Sequence, residues 1–192
     1  MDSNIITIVS GLPRSGTSMM MAMLEAGGLE ILSDGLRKAD DYNPRGYYEF
    51  EPVKKLKQDQ SWMGQARGKA VKIISHLLPS LPAGLHYRII LMRRDMAEIL
   101  ASQRSMMLRR GLPEPTANED ARMAELFKKD LGRTLAWLAA HPEVDVLEME
   151  YQAVVSHPSE QAGLVNAFFG NALDAGKMES VADRSLYRQR KG

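Results

Sequence analysis

Short apolar runs alternate with longer amphipathic segments along most of the chain. The apolar, β-branched runs that suit buried strands lie at residues 5–9, 69–74, 87–92 and 144–149. Segments with helical spacing lie at 19–26, 95–108, 118–141 and 159–169, with a shorter one at 51–57. Because strands and helices alternate, the pattern predicts a parallel sheet with helices on both faces.

Length and composition indicate one soluble domain. The 192 residues are 44% apolar and 26% charged, which is ordinary globular usage and excludes disordered and fibrous classes. We expect a single three-layer α/β/α domain over residues 1–192, with a mostly parallel sheet of four or five strands. No apolar run approaches the roughly 20 residues that cross a bilayer, and the N-terminus lacks the basic flank of a signal peptide. A cytoplasmic protein without a membrane partner is therefore expected.

Charge and cysteine content narrow the ligand classes. A net charge of +1 argues against a general nucleic-acid binder. The absence of cysteine excludes a disulfide framework and a thiolate metal site. Any attraction for an anionic ligand must therefore come from the local arrangement of residues.

A glycine-containing loop joins the first predicted strand to the first predicted helix. Gly11 and Gly16 have the G-x4-G spacing of a phosphate loop. Glycine adopts backbone angles closed to other residues, and the N–H groups at a helix start attract an anion. Thr17 follows Gly16 where nucleoside-triphosphate enzymes carry a lysine, and no strand ends in a clear magnesium carboxylate. The loop predicts an anion site and disfavours a kinase or NTPase of the P-loop class.

The same loop resembles the 5′-phosphosulfate loop of sulfotransferases, which use 3′-phosphoadenosine 5′-phosphosulfate (PAPS). The matching residues are Pro13, Arg14, Ser15, Gly16, Thr17 and Ser18. The resemblance implies that the loop from Arg14 to Ser18 binds the phosphosulfate and that Arg14 assists transfer. The arginine form is similar to the tyrosylprotein and bacterial branches of the family. It also implies a P-loop fold and a reaction that needs no metal.

A second motif follows the third predicted strand. Arg94 and Ser102 stand eight positions apart, like the arginine and serine of the family's 3′-phosphate motif. The resemblance implies that both residues bind the 3′-phosphate of the nucleotide. Eight helical residues rise about 12 Å, so we expect that the arginine reaches back or that the helix starts bent.

Softer matches extend the resemblance over nearly the whole chain. Residues 43–49 are similar to a segment of bacterial sulfotransferase-like proteins, residues 148–170 to a late structural stretch, and 190–192 to a late segment that contacts the 3′-phosphate. The chain is shorter than typical family members. We therefore expect an acceptor pocket that is either open or completed by a second subunit in a homodimer.

Sulfuryl transfer to an alcohol requires a base that takes the hydroxyl proton. The candidates are Glu49, Glu51, Asp40, Asp41 and His76. Glu49 has aromatic neighbours that could bury it and raise its pKa toward neutrality. His76 follows a strand, as the histidine base of the cytosolic branch does. The predicted catalytic residues are Arg14, Glu49 and His76.

The function that the resemblance implies is PAPS-dependent sulfuryl transfer to a hydroxyl or amine acceptor of unknown identity. Two alternatives stay open. One is a P-loop nucleotide kinase or NTPase, and the other is a non-catalytic protein that binds adenosine 3′,5′-bisphosphate. Methionines 19–21 and 23, and likewise Met106 and Met107, are interpreted as core packing.

Overall fold

A parallel sheet of four strands organises the structure, a computed structural model that describes residues 3–36 and 46–182. The strands are β1 (Ile5–Gly11), β2 (Ala70–Lys72), β3 (His86–Arg93) and β4 (Asp145–Glu150). Their spatial order is β2-β1-β3-β4, and every pairing between them is parallel. The predicted parallel α/β sheet is therefore confirmed.

Helices connect the strands and flank the sheet. They are α1 (Thr17–Ala26), α2 (Met96–Arg109), α3 (Ala117–Ala139), α4 (Tyr151–Ser156), α5 (Pro158–Phe168) and α6 (Ala175–Glu179). Three 3₁₀ segments, Glu51–Lys55, Ser61–Ala66 and Ser75–Ser80, lie in the connections on either side of β2. Thr116 and Glu119 start α3 through a reciprocal capping box.

The core has two parts, one on each face of the sheet. Because successive side chains of a strand point to opposite faces, Val9 belongs to the cluster that includes the methionines of α1 and residues of α4 and α5. Ile8 belongs to the other cluster, with residues of the 3₁₀ segments. Met20, Met21 and Met23 are fully buried, so their interpretation as core packing is confirmed.

The predicted elements differ from the observed ones at their ends, and α6 and the 3₁₀ segments Ser61–Ala66 and Ser75–Ser80 were not predicted. The strand predicted at 69–74 contracts to β2, and the helix predicted at 159–169 is preceded by the separate helix α4. Pro158 occupies the first position of α5, where the missing N–H costs nothing, and it prevents α4 from continuing. Across residues 3–36 and 46–182, the helices are too short or too polar to traverse a lipid bilayer.

Candidate functional site

The loop between β1 and α1 is packed so closely that its glycines are required. Gly11 has a φ of 150° and Gly16 a φ of 101°, values that side chains rarely permit. A Cβ on Gly16 would lie 2.4 Å from the Tyr151 ring, and one on Gly11 would lie 2.6 Å from the Met92 carbonyl oxygen. Arg14 between them is also left-handed, with a φ of 70°. Such strain at a non-glycine residue persists only where the surrounding structure holds it.

The start of α1 supplies hydrogen-bond donors for an anion. Gly16 caps the helix without a side-chain hydrogen bond. The first N–H groups of a helix have no acceptor within the helix and carry its partial positive charge. Thr17 and Ser18 line the adjoining cleft. Ser15 is not among the residues that line this cleft. Its side chain is fully buried, and its Oγ has no hydrogen-bond partner among the described residues.

Arg14 connects the two predicted phosphate motifs. Its Nε donates to Ser102 Oγ at 3.0 Å, and its carbonyl oxygen accepts from Arg94 Nη1 at 3.0 Å. Arg94 and Ser102 therefore both contact Arg14, Arg94 at its carbonyl oxygen and Ser102 at its side chain. Asp95 caps α2 by accepting from Ala97 N at 2.9 Å, so Arg94 stays outside the helix.

Arg94 is held from three sides. Its Nε lies 3.0 Å from Glu98 Oε2, and the side chains of this ion pair are only 7% and 6% exposed. The guanidinium carbon lies 4.3 Å from the centre of the Tyr151 ring. Burial raises the pKa of Tyr151, an effect that the nearby Arg94 charge opposes. Arg94 therefore braces the phosphate loop. Ser102 is also buried, with only 6% of its surface exposed.

A cleft of about 470 Å³ opens beside the loop. Its lining residues come from the loop, the segment before and within the first 3₁₀ helix, the end of β2 with the residues that follow, and α2. They are Pro13, Arg14, Thr17, Ser18, Glu49, Phe50, Val53, Lys54, Lys72, Ile74, His76, Leu77, Gln103, Met106 and Arg110. The carboxyl edge of a parallel sheet is where open α/β folds bind ligands. Met106 thus faces the cleft, so its interpretation as core packing is wrong.

Lys72 lines the cleft and was not predicted from the sequence. Its Nζ donates to the Tyr47 carbonyl oxygen and lies 3.5 Å from Ser18 Oγ. Lys72 is the last residue of β2, which pairs directly with β1, the strand that leads into the loop. The sequence feature that could have identified Lys72 is its position at the carboxyl end of a buried strand.

Two of the candidate bases line the cleft, and a third lies in an exposed ion pair. Glu49 and His76 both line the cleft, His76 from an exposed position on the segment Ser75–Ser80. Glu51 instead forms an exposed ion pair with Lys54 at 2.8 Å. The remaining candidates and motif residues, Asp40, Asp41, 43–45 and the tail 190–192, lie outside the described residues.

The chemistry of the cleft is that of cations and hydroxyl groups around one carboxylate. Arg14 and Lys72 lie at the loop end together with the hydroxyls of Thr17 and Ser18, and Glu49 lines the same cleft. In the part of the chain that the structure describes, no three histidine, aspartate or glutamate side chains are grouped as a metal site would require. The arrangement can bind a phosphate or sulfate ester and bring a base to a neighbouring group.

Solved sulfotransferases share this fold. Mouse sulfotransferase SULT7A1 complexed with PAP is 20% identical, with a TM-score of 0.56 over 97% of this chain and 64% of that one. The sulfotransferase domain from the curacin biosynthetic pathway is 16% identical, with a TM-score of 0.50 over 88% of this chain and 75% of that one. No protein-family model and no curated protein matches the sequence. The chain therefore has the sulfotransferase fold that the resemblance implied. It spans 64% of the length of SULT7A1.

Proposed function

We propose that the protein is a sulfotransferase that transfers the sulfuryl group of PAPS to the hydroxyl group of a small acceptor. The cleft carries the proposal, because Arg14, Lys72 and Glu49 all line it beside the phosphate loop. Sulfuryl transfer needs such a set: cations for the departing phosphate oxygen and a base for the acceptor's proton. The sulfotransferase fold of the chain supports the assignment.

The donors at the start of α1 fit the phosphosulfate of PAPS. The helix start carries positive charge and has no side-chain cap at Gly16. Thr17 and Ser18 add hydroxyl groups that line the cleft. PAPS, when bound, supplies a sulfuryl group whose bond to the bridging phosphate oxygen breaks as the acceptor oxygen bonds to sulfur. We infer from the motif resemblance that Arg94 and Ser102 bind the 3′-phosphate, and both contact Arg14 of the loop.

The remaining cleft residues have two roles: cations stabilise charge on the leaving oxygen, and a base removes the proton of the acceptor. The bond from Arg14 Nε to Ser102 fixes the guanidinium at the cleft wall, where it stabilises charge on the leaving oxygen. Lys72 adds a second cation within 3.5 Å of Ser18. Glu49 takes the proton of the acceptor hydroxyl, and His76 is the competing candidate for that step.

Ligand preference tests the donor assignment. Because a ligand that binds the native state raises the melting temperature, adenosine 3′,5′-bisphosphate is expected to raise it more than AMP or Mg-ATP does. Release of the bisphosphate from PAPS, measured with a panel of alcohols, then tests transfer. A larger shift with Mg-ATP would favour the kinase alternative. Tight bisphosphate binding without turnover across the panel would favour a non-catalytic binder.

A further inference from the structure

The walls of the cleft are mainly apolar away from the phosphate loop. Phe50, Val53, Ile74, Leu77 and Met106 line it between the first 3₁₀ segment, the residues after β2, and α2. A volume of about 470 Å³ lies within the roughly 300–1,000 Å³ of small-molecule sites. The cleft therefore fits a small acceptor with an apolar body better than an extended peptide.

A cation marks the end of the cleft that is remote from the loop. Arg110 follows the last residue of α2 and stands eight residues beyond Ser102, the residue that contacts Arg14. Eight residues along a helix correspond to about 12 Å. Arg110 is exposed, and its side chain has no hydrogen bond or ion pair with another described residue. Its charge is available to a ligand that runs along α2.

Lys54, a further cation in the cleft lining, is already paired with a carboxylate. Lys54 Nζ lies 2.8 Å from Glu51, and its pKa is raised by the hydrogen bond to Glu51 and by the charges of Glu51, Glu49 and Asp34. Arg110 is thus the better partner for a negative group on the acceptor.

The loop end of the cleft selects against a charged amine. Arg14 and Lys72 outnumber the single carboxylate of the lining, Glu49, so the net positive charge repels an ammonium group but not a neutral hydroxyl. We propose that the acceptor is an amphipathic alcohol: its hydroxyl lies at Arg14 and Lys72, its apolar body along the cleft walls, and a carboxylate or similar anionic group at Arg110. This inference rests on the proposed function, since it names the acceptor class for that reaction.

Binding measurements that need no turnover test the acceptor class. The probes are 8-hydroxyoctanoate, 1-octanol and octylamine, titrated by calorimetry into the full chain saturated with adenosine 3′,5′-bisphosphate. The hydroxy acid is expected to bind about tenfold tighter than octanol, the order of a charge-assisted hydrogen bond. Octylamine is expected to bind most weakly. The variant Arg110→Gln should abolish the advantage of the hydroxy acid, whereas Arg109→Gln removes the same charge from the same helix end outside the cleft lining and should preserve it.

Several results would overturn the inference. They are equal binding of hydroxy acid and octanol, no binding of either probe, an advantage that survives Arg110→Gln, or an octylamine affinity that matches the hydroxy acid. A loss of bisphosphate affinity in Arg110→Gln would assign the residue to the nucleotide and would also contradict it. Absence of sulfuryl transfer from PAPS to any alcohol, with these binding preferences intact, would instead contradict the proposed function alone.

Discussion

At the scale of single residues, Arg14 and Lys72 are expected to act on the transition state. If both stabilise charge on the departing oxygen, Arg14→Ala and Lys72→Ala should each lower kcat about 10²–10³-fold, with a smaller rise in KM for PAPS. Arg14→Lys should retain more of the rate than Arg14→Ala, because lysine keeps the positive charge but lacks the paired N–H donors of the guanidinium group. Arg109→Ala, outside the cleft lining, is the control for steady-state kinetics. An unchanged kcat in either alanine variant would leave that residue as a binding residue only.

The base is a separate question at the same scale. Glu49→Gln should keep the affinity for adenosine 3′,5′-bisphosphate and reduce turnover by about 10²–10⁴-fold, the usual contribution of a general base. His76→Asn should have a small effect, because His76 is exposed while Glu49 is partly buried in the cleft lining. Calorimetry and initial rates measured on both variants decide the matter. An inactive His76 variant beside an active Glu49 variant would transfer the role to the histidine.

At the scale of elements, the ion pair between the end of β3 and α2 braces the loop. Arg94→Ala would leave Glu98 buried without its partner, which costs about 3–5 kcal/mol of unfolding free energy. Arg93 is a matched control, since its ion pair with Glu148 is 28% and 51% exposed and such pairs contribute about 0–1 kcal/mol. Urea denaturation of the two alanine variants measures both. Similar losses would show that Arg94 does not brace the loop.

Two glycines provide a further comparison between elements. Gly16→Ala would place a Cβ 2.4 Å from the Tyr151 ring at a φ of 101°, so we expect a strong loss of stability and of nucleotide binding. Gly163 lies inside α5 with open space around its Cβ position. Gly163→Ala should therefore raise stability by roughly 0.5–1 kcal/mol through helix propensity. A thermally stable Gly16→Ala protein would contradict the packing described for the loop.

At the scale of the whole molecule, a buried tyrosine makes stability depend on alkaline pH. Burial raises the pKa of Tyr87 from 10.0 to about 12. The folded protein thus keeps a proton that the unfolded chain loses, so this contribution is complete below pH 10 and is lost as pH rises toward 12. Unfolding free energies measured from pH 9 to 12 should fall less steeply in Tyr87→Phe. An identical slope in the variant would remove Tyr87 as a cause. Because the phenol donates to the Pro82 carbonyl at 2.8 Å, the variant should also start from a lower stability at neutral pH.

Local pattern was sufficient for the architecture. The alternation of apolar runs and amphipathic segments predicts parallel strands covered by helices, since burial on both faces requires it. Gly11 and Gly16 identify the loop, because only glycine tolerates their φ values at such close approach. Element ends were less certain, as the separate helices α4 and α5 show, since ends depend on hydrogen bonds and packing beyond the local period.

Contacts between distant side chains depend on how the strands are arranged in the sheet. Arg14 and Ser102 are 88 positions apart, yet they share a hydrogen bond because β1 and β3 are neighbours and both end at the same edge of the sheet. Lys72 enters the cleft for the same reason, through the pairing of β2 with β1. The fold class and the phosphate loop could thus be predicted from the sequence, because they depend on residue type and on the local period of apolar residues. The cleft, the burial of Arg94 and the position of Lys72 in the cleft depend on the order of the strands, which the local sequence pattern does not specify.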